Sequence, residues 1–191
     1  MTAPPRRALA SAVRIIGGQW RRSKLPVPDA VSLRPTPDRV RETLFNWLGQ
    51  DLTGWRCLDA FAGSGALGFE AASRNAASVV LIERDRSLVM GLKKSQQRLA
   101  AANLQVECAE ALTWMAGCAP GSFELIFLDP PFDAKLGLQA LDRAVRPLAP
   151  QGFVYLEARQ AFSAAELLER GWRAHREGRA GQVHFALLQR L

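Results

Sequence analysis

At 191 residues and 48% apolar content, the chain is long enough for one domain with a full-sized core, and no uncharged apolar run approaches the ~20 residues that cross a bilayer. Three scattered cysteines (Cys57, Cys108, Cys118) and two distant histidines (His175, His184) argue against a disulfide framework, a metal cluster or triad chemistry, and read as a reduced, cytoplasmic chain. The net charge is +7 and all of it lies in residues 1–41, where nine basic groups face only Asp29 and Asp38, while the remainder holds sixteen of each sign; the N-terminal fifth therefore predicts contact with a polyanion, RNA or DNA.

Residues 1–12 read as a disordered basic lead-in whose apolar stretch is too short for a secretory signal. Val13–Ile16 and Trp20–Leu25 flank Gly17-Gly18-Gln19 and predict a hairpin, small enough to be an appendage. Arg14, Trp20, Arg21, Arg22 and Lys24 are its candidate RNA contacts. Two alternatives stand beside this reading: a solvated basic tail without a partner, and a Trp20 that packs the hairpin onto the main domain. Pro26, Pro28 and Pro35 mark a linker, so residues 13–35 form a hairpin-and-linker unit and residues 36–191 the main domain. Thr36-Pro37-Asp38 supplies an N-cap, a first-position proline and an acid in the first turn of a helix that runs to about Leu48. Val40, Leu44, Phe45, Trp47 and Leu48 form its buried side. Arg39 and Arg41, with Arg34 just before the helix, are expected to face a ligand.

From Arg56 onward, strands alternate with helices. Arg56–Phe61, Ser78–Glu83, Leu104–Cys108, Phe123–Leu128 and Phe153–Glu157 are predicted strands. Helices are predicted over Ala66–Arg74, from Asp85 to near Asn103, briefly after Glu110, over Leu136–Leu148 and over Ala164–Arg170. Trp172–Glu177 and Gln182–Leu188 straddle Gly178-Arg179-Ala180-Gly181 and close the chain as an antiparallel hairpin. The alternation predicts an α/β fold with a doubly wound, Rossmann-like sheet.

Two strand ends carry the chemistry. Asp59-Ala60-Phe61-Ala62-Gly63-Ser64-Gly65-Ala66-Leu67-Gly68 opens the first strand-to-helix turn and matches G-x-G-x-x-G, a weak signal by itself. An acid four residues before Gly63 is unwelcome beside a pyrophosphate. It suits a cofactor carrying an ammonium and a sulfonium, as S-adenosylmethionine does. Glu83, ending the second strand, is placed for ribose hydroxyls, and Glu110 for an adenine amine; the alternatives are a solvated strand end and a helix N-cap. At the fourth strand's end stand Asp129-Pro130-Pro131-Phe132. Two prolines make a rigid turn with free carbonyls. A carboxylate, a carbonyl and an aromatic face together can grip the two hydrogens of a planar exocyclic amine while the ring stacks on its base. The alternative is a plain strand-ending turn with Phe132 plugging the core.

These stretches resemble class I S-adenosylmethionine-dependent methyltransferases of the [DN]-P-P-[YFW] type. More narrowly, Arg14–Arg21, Arg34–Leu48, Asp59–Gly68 and Asp129–Phe132 resemble the bacterial small-subunit rRNA guanine-N2 methyltransferases of the RsmD family, over about residues 13–190. The resemblance implies a seven-stranded sheet, mostly parallel with a reversed last strand, plus an N-terminal hairpin that helps hold RNA. It implies methylation of one guanine, position 966 of 16S rRNA, within the small ribosomal subunit, by a chain expected to be monomeric. It assigns amine binding to Asp129 and the Pro130 carbonyl, stacking to Phe132, and a place in the catalytic turn to Pro131. The cofactor set it implies is Asp59, Phe61, Ala62, Gly63, Ser64, Gly65, Glu83, Arg84, Glu110 and Ala111.

Overall fold

The structure is a computed structural model that describes residues 12–27, 36–131 and 134–191. The basic lead-in, most of the linker with Arg34, and Phe132 of the sequence reading lie outside the described residues. In chain order the elements are β1 (Ala12–Arg14), β2 (Lys24–Pro26), α1 (Asp38–Trp47), β3 (Arg56–Asp59), α2 (Ala66–Ser73), β4 (Ser78–Glu83), α3 (Arg86–Arg98) and β5 (Leu104–Cys108). There follow α4 (Ala111–Ala116), β6 (Phe123–Leu128), α5 (Ala134–Ala144), β7 (Leu148–Ala158), α6 (Ala164–Glu169), β8 (Trp172–Ala180) and β9 (Val183–Arg190).

Seven strands form one sheet in the order β5-β4-β3-β6-β7-β9-β8. The first five strands of that order pair in parallel, and β9 is antiparallel to both β7 and β8. The chain winds outward from β3 to β5, then crosses back to lay β6 on the other side of β3. The switch point therefore lies between β3 and β6, the place beyond the strands' C-terminal ends where open α/β sheets bind ligands.

Helices cover both faces, which is why the central strands read as near-continuous apolar runs. On one face α1, α2 and α3 place Leu44, Phe45, Phe69 and Leu92 against Leu81, Leu125, Phe127 and Tyr155. On the other, α4, α5 and α6 place Met115, Leu141 and Leu167 against Ile126, Val154 and Leu156. The sequence reading carried the fifth helix to Leu148, but α5 ends at Ala144. Pro147 supplies no N–H and pushes its predecessor out of helical geometry, so Leu148 begins β7 instead. Among the described residues no helix is long and apolar enough to cross a membrane.

The N-terminal hairpin is present, but its strands lie further apart in the chain than the glycine turn suggested. β1 and β2 pair Ala12 with Pro26 and Arg14 with Lys24, leaving residues 15–23 as the connection. Ile15 and Leu25 are fully buried in the main core, so the hairpin is fastened down along the domain. Gly17 and Gly18 serve a close approach to α2. A Cβ on Gly17 would sit 2.2 Å from the Arg74 guanidinium, and one on Gly18 would sit 1.8 Å from the Ser73 carbonyl oxygen. Gly18 also has φ of +72°, which a side chain disfavours.

Candidate active site

Asp59 ends β3, Glu83 ends β4, Asp129 follows β6 and Glu157 lies near the end of β7. These four strands are consecutive neighbours in the sheet. Side chains alternate along a strand, and all four acids share the parity of Cys57, Leu81, Phe127 and Tyr155. They therefore stand in a row on the α1–α3 face, at the end of the sheet where open α/β folds bind ligands.

Asp59 is 1% exposed. Its Oδ2 accepts the Gly68 N–H of α2 at 3.0 Å, while Oδ1 is buried without a hydrogen-bond partner. Burial, reinforced by the charges of Glu83 and Glu157 and opposed by the Gly68 N–H, raises its pKa to about 7. The glycine turn holds this geometry. Gly65 is the α2 N-cap with φ of +80°, and a Cβ on Gly68 would meet the Leu81 side chain at 2.0 Å. Glu83 ties the turn to α3: one oxygen accepts the Gly63 N–H at 3.0 Å and the other the Asp85 N–H at 2.8 Å. Phe61 is half-buried at this turn, Ala62, Gly63, Ser64 and Gly65 are buried, and Arg84 is exposed. Glu110 is the N-cap of α4, its two oxygens accepting the Leu112 and Thr113 N–H groups at 2.9 and 2.7 Å, with Ala111 buried behind it. The Thr113 hydroxyl first, then these two N–H groups, hold its carboxyl below the usual range.

Asp129 is held in place from an unexpected direction. The Thr36 hydroxyl donates to Asp129 Oδ2 at 3.2 Å. Thr36 therefore does not cap α1; the N-cap is Pro37, without a side-chain bond. Loss of solvent first, then the charges of Glu157 and Asp59, push the Asp129 carboxyl well above its ordinary range. Pro130 is buried and Pro131 exposed. Glu157, which belongs to no sequence motif, is 6% exposed and accepts the buried Tyr155 hydroxyl at 2.7 Å. Burial raises its carboxyl too, tempered by the hydroxyls of Tyr155 and Thr36. Its signal was legible only with the topology in hand, as an acid at the end of the strand next to that of Asp129. Among the described residues no His, Cys, Asp and Glu group could hold a metal ion. A separate cavity of about 320 Å³ opens on the opposite face, lined by Leu156, Phe162, Leu167 and Leu188 among others, and none of the four acids contributes to it.

The basic residues divide. Arg14, Arg21, Arg22, Lys24 and Arg39 are exposed, Arg14 in a surface ion pair with Asp38 at 3.3 Å. Arg41 corrects the sequence reading: its side chain is 0% exposed and faces inward. It donates to Asp38 at 2.6 Å, to Glu70 at 3.4 Å and to the Arg14 carbonyl at 2.9 Å. The reason was in the spacing, since Arg41 precedes Leu44 and Phe45 by three and four residues and so shares their face of α1. Glu70, the other residue missed, is fully buried. It accepts the Ile16 and Gly17 N–H groups at 2.9 and 2.7 Å and pairs with Arg41 and Arg74. Trp20 is half-buried and packs against the main core, and its backbone N–H donates to the Ser73 hydroxyl at 2.9 Å.

The family model described as conserved hypothetical protein 95 matches residues 13–189. Ribosomal RNA small subunit methyltransferase D of Escherichia coli K12 is 43% identical, over 97% of this chain and 94% of its own. The protein of that name from Haemophilus influenzae is 40% identical, over 93% of each chain. The solved structure of Escherichia coli yhhF superposes with a TM-score of 0.81 at 42% identity, covering 94% of this chain and 98% of that one. With a matched fold and end-to-end similarity to these proteins, the chain belongs to the RsmD family of small-subunit ribosomal RNA methyltransferases.

Proposed function

We propose that the protein transfers a methyl group from S-adenosyl-L-methionine to the exocyclic N2 amine of a guanine in 16S rRNA, the guanine at position 966 by family resemblance, within the small ribosomal subunit. The observation that carries this reading is the row of acids at the Asp129-Pro130-Pro131 turn, with Asp59 and Glu157 buried and Asp129 half-buried. Asp59, Asp129 and Glu157 have no Lys, Arg or His in ion-pair contact among the described residues. Buried acids without a counter-cation are costly, and the site suits a cationic ligand.

The cofactor fits that environment. The orphaned Asp59 Oδ1 offers an acceptor to an ammonium or its bound water. Gly63, Ser64 and Gly65 present backbone close to the ligand, Glu83 faces the ribose hydroxyls, and the free lone pairs of Glu110 with the Ala111 N–H face the adenine. Phe61, Ala62 and Arg84 border the same site. When bound, the cofactor supplies a methyl group on a sulfonium leaving group. The protein's part is positioning and electrostatics. The guanine amine is a poor nucleophile because its lone pair is conjugated into the ring. Hydrogen bonds from its two hydrogens to Asp129 and to the Pro130 carbonyl favour pyramidalisation and aim the lone pair. Phe132 stacks on the base, and Pro131 keeps the turn rigid. The base leaves its stack to reach this depth, as for other base-modifying enzymes. Residues 13–35 act as the RNA-binding hairpin and linker, with Arg14, Arg21, Arg22, Lys24, Arg34 and Arg39 meeting phosphates and residues 36–191 forming the transferase domain. The setting is the cytoplasm and the working unit a monomer.

Methyl transfer from labelled cofactor to small subunits, free 16S rRNA and DNA, followed by nucleoside analysis, tests the proposal. N2-methylguanosine in small-subunit rRNA is the expected product. N6-methyladenosine, or label in protein glutamine, would replace this reading with another amine methyltransferase. RNA binding without cofactor binding would make the chain an assembly factor.

A further inference from the structure

Glu157 is not part of the acid-Pro-Pro-aromatic turn, yet it is a buried acid, 6% exposed, on the strand next to it. Leu128 and Leu156 are register partners on β6 and β7, so the residues that follow them, Asp129 and Glu157, stand side by side on one face. The groups facing Glu157 among the described residues are Asp129 on β6, Asp59 on β3 and Tyr155 on its own strand. The segment leading into α1 brings the neutral Thr36 hydroxyl, and β9 brings Phe185, the register partner of Glu157. No cation faces the pair among these groups. Two adjacent carboxylates, Glu157 buried and Asp129 half-buried, cannot both ionise cheaply, and they titrate as a unit.

We infer that Glu157 is a positioning residue for Asp129: the two acids hold one proton between them before the methyl donor binds, and entry of that cationic donor expels it, leaving Asp129 ionised toward the amine. Tyr155 fixes the Glu157 carboxylate against the sheet, and Thr36 fixes that of Asp129, so the proton is confined between two oriented groups. This inference rests on the proposed function, because it needs a cationic donor and an amine at Asp129. It adds an acid that touches neither and sets the charge of the one that does. Glu157→Gln keeps an acceptor for the Tyr155 hydroxyl but removes the neighbouring charge. Asp129 then ionises more readily, and less proton is left to expel.

Calorimetry of S-adenosylmethionine binding in buffers of different ionisation enthalpy reads the expelled proton directly at pH 7. The wild type is expected to release a substantial fraction of one proton, and Glu157→Gln clearly less. The acid limb of the kcat profile on small subunits is expected to move to lower pH in Glu157→Gln, by about one unit or less for a neighbouring charge at this range. Tyr155→Phe serves as the structural control: it loosens Glu157 but leaves both charges, so proton release persists. Equal proton release and an unmoved acid limb in Glu157→Gln would overturn the inference while leaving the function standing. Absence of S-adenosylmethionine binding in the wild type would instead remove the proposed function, and this inference with it.

Discussion

Glu70→Ala removes the residue on which the N-terminal hairpin hangs. Glu70 is fully buried and serves four donors at once: the Ile16 and Gly17 backbone N–H groups and the guanidinium groups of Arg41 and Arg74. Removing one member of a buried ion pair costs about 3–5 kcal/mol, because the partner charge stays buried. Arg41 keeps Asp38, and Arg74 keeps a contact to Gln50, so the lower half of that range applies to the ion pairs. Two backbone N–H groups then lose their acceptor, at about 1 kcal/mol each if water reaches them. The sum is about 5–6 kcal/mol, a large fraction of a typical domain's ~5–15 kcal/mol. At about 2–4 °C per kcal/mol, Tm should fall by roughly 10–20 °C in thermal unfolding followed by circular dichroism. The loop from residue 16 to residue 20 loses its clamp, so rRNA affinity should fall more than cofactor affinity at a temperature where the variant is folded. A Tm within about 2 °C of wild type, with unchanged RNA binding, would refute the reasoning that one buried acid fastens the hairpin to α2.

Asp129→Ala should lower turnover about 30- to 1,000-fold, the equivalent of ~2–4 kcal/mol for one electrostatic contact in the transition state, in single-turnover assays with an intact circular dichroism spectrum. For Asp59 the folded pKa, at about 7, lies above its unfolded value, so its contribution favours folding below about pH 4 and is lost as pH rises toward 7. Asp59→Asn should therefore flatten the fall in Tm between pH 4.5 and about 7.5, and an unchanged slope counts against the burial argument. Joint replacement of Arg21, Arg22 and Lys24 by Gln should weaken rRNA binding and flatten the log–log salt slope by roughly 0.7–0.9 per lost phosphate contact. Trp20→Ala should lower Tm, because the ring packs on the core; a loss of RNA affinity at constant Tm would point to stacking instead.

The amino-acid order by itself determined the succession of elements and the place of the glycine turn after β3. β-branched and aromatic runs ending in acids, separated by stretches of 3.6 periodicity, leave few options besides a doubly wound sheet, and Gly63, Gly65 and Gly68 mark its first turn. Local rules placed Asp85 as the cap of α3, because capping acts over three or four residues, and they gave the closing hairpin, but β8 runs on through Gly178-Arg179-Ala180 and the turn is only Gly181-Gln182. The sequence alone could not reveal which polar groups meet across long separations. Thr36 looked like a cap, yet its hydroxyl reaches Asp129, 93 residues away. Arg41 looked like a ligand contact, yet Glu70 on another helix draws it inside. Gly17 and Gly18 looked like a tight turn, yet they are small because α2 lies against them. Glu157 carried no motif, and it joins Asp129 only because the sheet order places β7 beside β6. Periodicity and capping are local energies written along the chain, whereas the pairing of buried charges is decided by which strand ends the tertiary fold brings into one low-dielectric space.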